Sequence, residues 1–225
     1  MFFTALLLPV LLWGQRDDLL TPNAKRSHAE TAILDLKNNG AMVLRLRTDH
    51  RKIDLLQQTL ASEQLSDQQR RHHERLLEST LRRRDAFNQA LRHAFTQAFN
   101  FCPVYVMYDT SSSYLAEGQR AGLFLNEQQE VDASIELKED HVFLVNFKDR
   151  SAEFPYDVLR VRRLEEKLDE PFPYVVPIRE SWLNNVNSPR AAKSVALLQN
   201  RLIRYYQRVL ERQAKEKAKQ QAQNQ

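Results

Sequence analysis

A mixed α/β fold is what this sequence predicts: a mixed sheet of about five or six strands, packed by a long helix over about 66–100 and a C-terminal helix over about 189–215. Three observations carry that expectation. Phe87, Leu91, Phe95 and Phe99 recur at helical spacing behind a Ser66-Asp67 cap. Two short apolar runs, Val104 to Tyr108 and His141 to Lys148, have the length and residue types of buried strands. Between a first strand near 41–47 and the run at Val104 lies a long helical stretch, which is the connection a parallel pair requires.

Taken in order, Ala32–Lys37 and Ala41–Arg47 are apolar runs separated by Asn38-Asn39-Gly40. An Asn-Gly pair in that position is a hairpin signal, although the first run also fits a short helix stopping at Gly40. Thr48 or Asp49 can cap a helix from His50 to Ala61, with Ile53, Leu56 and Leu60 on one face. The long helix that follows is arginine-rich in its early turns, which are expected to project into water. Its last four turns, flanked by Ala90, Ala94 and Ala98, are expected to lie on the sheet.

Pro103 then breaks the helix and starts Val104–Tyr108, whose unbroken apolar run predicts a central strand covered on both faces. A short helix is expected within Ser111–Gly118, a strand at Leu123–Leu125, and strands at His141–Lys148 and Val158–Leu164. Pro171, Pro173 and Pro177 confine the extended segment that contains them to a sheet edge. Ser188-Pro189 caps the final helix, whose stripe runs Val195, Leu198, Leu202, Tyr205 and Val209. Beyond Arg212 that stripe ends, and a frayed or disordered tail is expected over 213–225.

The chain has 225 residues, 42% hydrophobic and 28% charged, enough for one well-cored domain, placed at 31–212. Residues 1–14 are expected to be a signal peptide. Phe2–Trp13 is too short to span a bilayer but has the length of an export h-region, and Gly14 supplies a small residue behind it. Residues 15–30 are polar, carry Pro22, and are expected to be an exposed lead-in. A net charge of +4 tolerates anionic partners without requiring them. The single cysteine, Cys102, excludes an intramolecular disulfide and has the setting of a buried small hydrophobe.

Complete catalytic signatures are absent. There is no phosphate-cradling glycine loop, no H-E-x-x-H, and no serine in G-x-S-x-G. What chemistry there is gathers at two places. Asp109, Ser111 and Ser113 form D-x-S-x-S at a strand end and resemble the metal-ion adhesion motif of von Willebrand factor A domains. That resemblance implies magnesium held by one carboxylate and two hydroxyls. Arg70, Arg71, Arg75, Arg82, Arg83 and Arg84 could contact an anionic surface, but Asp67, Glu74, Glu78 and Asp85 interleave with them as in a solvated, ion-paired face.

The segments NNGAMVLRLRT, FNFCPVYVMYD, GLFLNEQQEVDASIELKEDHVFLVNF and FPYVV together resemble a group of uncharacterised exported proteins of Bacteroidota-type bacteria, across Lys37 to Tyr206. The resemblance implies export and a single domain, and transfers no activity. The expectation is therefore an exported, periplasmic or envelope-associated, non-catalytic interaction protein. Its partner would be another envelope protein rather than nucleic acid, and its mature chain would lack a transmembrane segment. A metal-dependent adhesion or hydrolase site at Asp109 and anionic-surface binding through the arginine helix are the alternatives.

Overall fold

The computed structural model describes residues 21–148, 152, 154, 157–164, 166–178 and 189–224. The expected signal peptide lies outside them. Among the described residues the chain forms helices α1 (Pro22–Asn39), α2 (His50–Leu60), α3 (Asp67–Ala98), α4 (Ser112–Ala116) and α5 (Pro189–Gln223). Strands are β1 (Gly40–Leu46), β2 (Val104–Tyr108), β3 (His141–Lys148), β4 (Asp157–Arg163) and β5 (Val175–Ile178). They make one mixed sheet in the order β2-β1-β3-β4-β5, with β1 parallel to both β2 and β3, and β4 antiparallel to β3 and β5.

The two faces of this sheet are covered differently. Met42, Leu44 and Leu46 of β1, with Phe143, Val145, Leu159 and Val176, meet Ile33 and Leu36 of α1, Phe87, Leu91 and Phe95 of α3, and Val195, Leu198 and Leu202 of α5. On the opposite face Ala41, Val43, Val142 and Leu144 meet Leu115 of α4 and Leu123, Phe124 and Leu137 of the irregular segment behind it. Strand alternation makes this division: odd residues of β1 point one way, even residues the other.

The mixed sheet and its two long helices match the predicted fold class. α3 begins at a capping box in which the Ser66 hydroxyl accepts from the Gln69 amide and the Gln69 side-chain oxygen accepts from the Ser66 amide. It buries Phe87, Leu91, Ala94 and Phe95 as the i+4 stripe predicts. β5 lies at a sheet edge, where Pro177 withholds no donor the ladder needs.

Five expectations are corrected. Val104–Tyr108 is an edge strand and only Met107 is fully buried in it; the strand buried on both faces is β1. Apolar content in β2 serves the flanks of α3 and the Phe124 segment rather than two sheet neighbours. The Asn39-Gly40 pair makes no hairpin: α1 runs to Asn39, and Gly40 opens β1. Much of the expected lead-in is the first half of α1. Pro22 begins that helix at a tolerated position, behind Thr21, whose hydroxyl accepts from the Ala24 amide. The expected tail is helical to Gln223, because Gln, Lys, Ala and Glu are good helix formers even where nothing is buried. Leu123–Leu125 makes only isolated bridges, Phe124 with Met107 and Leu125 with Val131.

Gly40 is required by space, not by dihedral angle. Its φ is −117°, but a Cβ there would stand 2.6 Å from Leu36 Cα and 2.9 Å from the Asp35 carbonyl oxygen. Gly40→Ala must push α1 off β1, and should cost about 1–3 kcal/mol in urea unfolding. Unchanged stability would mean that α1 does not approach β1 this closely.

Candidate functional site

The carboxyl ends of β1 and β2 are where an α/β sheet places ligands, and where the sequence placed Asp109. β1 leaves the sheet through Arg47, Thr48 and Asp49; β2 leaves it at Asp109, which opens a 3-10 turn into α4. Asp109 Oδ1 accepts from the Thr48 amide at 3.1 Å and from the Thr48 hydroxyl at 2.6 Å. The Ser112 hydroxyl donates to the Asp109 carbonyl at 2.7 Å. Asp109 thus ties the two strand ends together.

Asn88 of α3 secures the same edge from the helical side. It is 2% exposed. Its Oδ1 accepts from the Arg47 amide at 3.0 Å and its Nδ2 donates to the Arg47 carbonyl at 2.8 Å, so one side chain does the work of a missing strand neighbour. The Arg47 guanidinium lies 4.7 Å from the Phe87 ring centre and 4.3 Å from that of Phe147, sandwiched between α3 and β3.

The three residues of D-x-S-x-S therefore stand in different surroundings. Asp109 is a strand-end tie, Ser111 closes the 3-10 turn, and Ser113 is exposed on α4. The hydroxyl on the Asp109 carboxylate is that of Thr48, and the serine that bonds Asp109 is Ser112, at the backbone carbonyl. Among the described residues, no group of three or more His, Cys, Asp or Glu side chains is arranged to hold a metal ion.

The arginine helix divides as well. Arg70 donates to the Leu60 carbonyl at 2.8 Å and the Ser62 carbonyl at 3.2 Å, capping the last turn of α2 and fixing the α2–α3 hairpin. Arg84 pairs with Asp85 at 2.8 Å and reaches the Thr48 carbonyl at 3.5 Å. Arg71, Arg75, Arg82 and Arg83 are exposed. Ile53 and Leu56 seat α2, while Leu55 is 63% exposed beside the half-buried Leu60.

One cluster was not singled out from sequence. His28 of α1 places Nε2 at 3.0 Å from Glu166 and Nδ1 at 3.2 Å from Asp169. Alongside, Arg163 meets Asp35 at 3.0 Å and Glu166 at 3.5 Å, and donates to His141 Nδ1 at 2.9 Å. That bond requires an acceptor Nδ1, which puts the proton of a neutral His141 on Nε2, 3.6 Å from Asp35. The hydrogen bond to Glu166 raises the pKa of His28 against the opposing effect of burial, and Asp169 adds to the rise. The same bond holds Glu166 below the usual carboxylate range. The cavity beside Arg163 and His141 is about 30 Å³, room for a water and not for a substrate. The cluster latches α1 to the β4–β5 connection across 138 and 141 residues of sequence, and no motif spans that distance.

Cys102 lies beside Val104 with its thiol pushed up to about 12, chiefly by burial, so it stays protonated at neutral pH. No protein-family model, curated protein or solved structure matches this chain. Among the described residues no helix is long and apolar enough to cross a membrane.

The latch has a definite pH sign. A His whose folded pKa is raised contributes fully below its ordinary value of 6.5, and that contribution is lost as pH rises through the folded value. Glu166 acts oppositely, contributing above its ordinary 4.5 and losing its part as pH falls. Urea unfolding of His28→Gln should therefore show its largest deficit against wild type at mildly acidic pH, shrinking towards alkaline pH. A deficit independent of pH would show that His28 is held by packing alone.

Proposed function

We propose that this is an exported, envelope-associated protein that acts by contact rather than catalysis, through the α2–α3 hairpin and the free end of α5. The observation that carries this reading is the state of the hairpin. Arg70 and Ile53 fix it rigidly, yet it leaves Leu55 and four guanidinium groups in solvent. Arg71, Arg75 and Arg82 recur at spacings of four and seven residues, so they fall along one face of α3, with Arg83 next to them. A row of cations on one helix of the hairpin and an exposed leucine on the other suit an acidic protein surface with an apolar patch.

The end of α5 supports the same reading. Its buried stripe stops at Val209, and residues 214–223 are exposed helix carrying Lys215, Lys217 and Lys219. A helix that continues roughly four turns past its last buried residue presents a regular cationic surface that its own core does not use. Export rests on the Phe2–Trp13 run and the small residue behind it.

Replacing Arg71, Arg75, Arg82 and Arg83 together by Glu should leave folding stability nearly unchanged, within about 0.5 kcal/mol per exposed site. It should abolish recovery of the wild-type partner from envelope extract, and raising salt on the wild type should weaken that recovery progressively. Undiminished recovery by the charge-reversed protein would remove the hairpin from the contact surface. Recovery of anionic lipid without protein would favour surface binding instead. The N-terminus of envelope-recovered protein should lie beyond Gly14; one still at Met1 would contradict export by cleavage.

A further inference from the structure

On the sheet face opposite α1, α3 and α5, apolar packing stops before the carboxyl ends of β1 and β3. Ala41, Val43, Val142 and Leu144 fill the buried half of that face. Met107 carries the apolar packing one row further on β2, but across β1, β3 and β4 the next row is polar. Continuing the register Leu44↔Val145 sets Arg45 beside Asn146, which faces Arg160 on β4, while Arg162 stands one row earlier, opposite Leu144. Alternation along the strands puts Arg45, Asn146 and Arg162 on the same side.

Arg45 is the one residue of β1 that is not fully buried. Its Nε is shut off from solvent with no hydrogen-bond partner, and no described carboxylate closes on it as an ion pair. Burial lowers its pKa, Arg162 lowers it further, and only Asp109 acts in the other direction. Asn146 Oδ1 is also buried without a donor. Desolvation and repulsion both disfavour a half-buried cation beside a second one, and the carboxylate that offsets them, Asp109, is already engaged by Thr48. Here an unused donor, an unused acceptor and a nearby second guanidinium share one face, at the strand ends where parallel sheets bind ligands. The Thr48–Asp109 tie holds the neighbouring strand ends in place.

We propose that Arg45, Asn146 and Arg162 bind a small soluble oxyanion that also carries a hydroxyl, such as a hydrogen phosphate or a hydroxy acid. Arg45 and Arg162 clasp the anionic oxygens, and Asn146 Oδ1 accepts the ligand's O–H. The site lies on the opposite sheet face from α3 and α5 and does not depend on the contact reading.

Isothermal titration of the folded chain with inorganic phosphate, at ionic strength held constant with sodium chloride, tests this. Phosphate should bind saturably, and sulfate, which carries no proton at neutral pH, should bind more weakly. Arg45→Met and Arg162→Gln should each weaken phosphate binding about tenfold or more. Without ligand, Arg45→Met should melt no lower than wild type, since it removes a half-buried cation that desolvation and Arg162 both disfavour. Should Arg45→Met fail to fold, Arg162→Gln alters an exposed side chain and decides the matter alone. Asn146→Leu should erase the preference for phosphate over sulfate. Absence of saturable binding, or binding equal in Arg162→Gln and wild type, would overturn the site. Equal affinity for sulfate and phosphate in wild type would overturn the role of Asn146. Phosphatidic acid vesicles that capture wild type but not Arg162→Gln would overturn the assignment to a soluble ligand.

Discussion

Burial of β1 between two parallel neighbours is the constraint on which the rest of the structure depends. All of its residues but Arg45 are fully buried, and β2 and β3 flank it in the same direction. Neither parallel neighbour can be reached by a tight turn, so the chain must cross the sheet each time. The first crossing is α2 and α3, which cover one face; the second is α4 with the irregular segment through Leu137, which covers the other. The close approach of Gly40 to Leu36 and the clamp of Asn88 on Arg47 then fix the two ends of the same strand.

That arrangement gives the molecule two dissimilar sides. One carries three long helices whose inner stripes are fully used, so that whatever these helices do for function they do with their outer faces and free ends. The other is partly covered by short and irregular chain, and its uncovered row is polar. Cationic groups are concentrated on both sides, but differently: along α3 they are solvated and spaced by acids, whereas Arg45 on the sheet is half-buried, with its Nε shut off from solvent and Asp109 acting on it from the neighbouring strand end. Salt should screen the first far more than the second.

Much of this was legible in the sequence where local rules decide it. The cap at Ser66, the i+4 aromatic stripe of α3, the apolar run of β3 and the prolines of β5 are each local signals, and each element lies where they place it. What failed depends on neighbours. Val104–Tyr108 is as apolar as a central strand, yet strand order is set by partners, and an edge strand flanked by α3 and Phe124 needs the same residues. Asn39-Gly40 fits a hairpin or a helix stop equally until the Leu36 contact is known. At the candidate site Asp109 was visible as a strand-end carboxylate, but its engagement by Thr48 was not, since that bond joins residues 61 apart. A lone Asn in mid-helix, such as Asn88, carries no sequence signal at all. Nor does a histidine whose two carboxylates come from a distant loop.

The contact reading makes its most direct claim about where a partner touches. Lysine crosslinking with mass spectrometry of the chain in its native envelope measures that. Crosslinks to another protein should concentrate on Lys52 of α2 and on Lys215, Lys217 and Lys219 of α5, which lie on the hairpin and the free helix end. Crosslinks concentrated instead on Lys138, beyond the irregular cover of the opposite face, would contradict it.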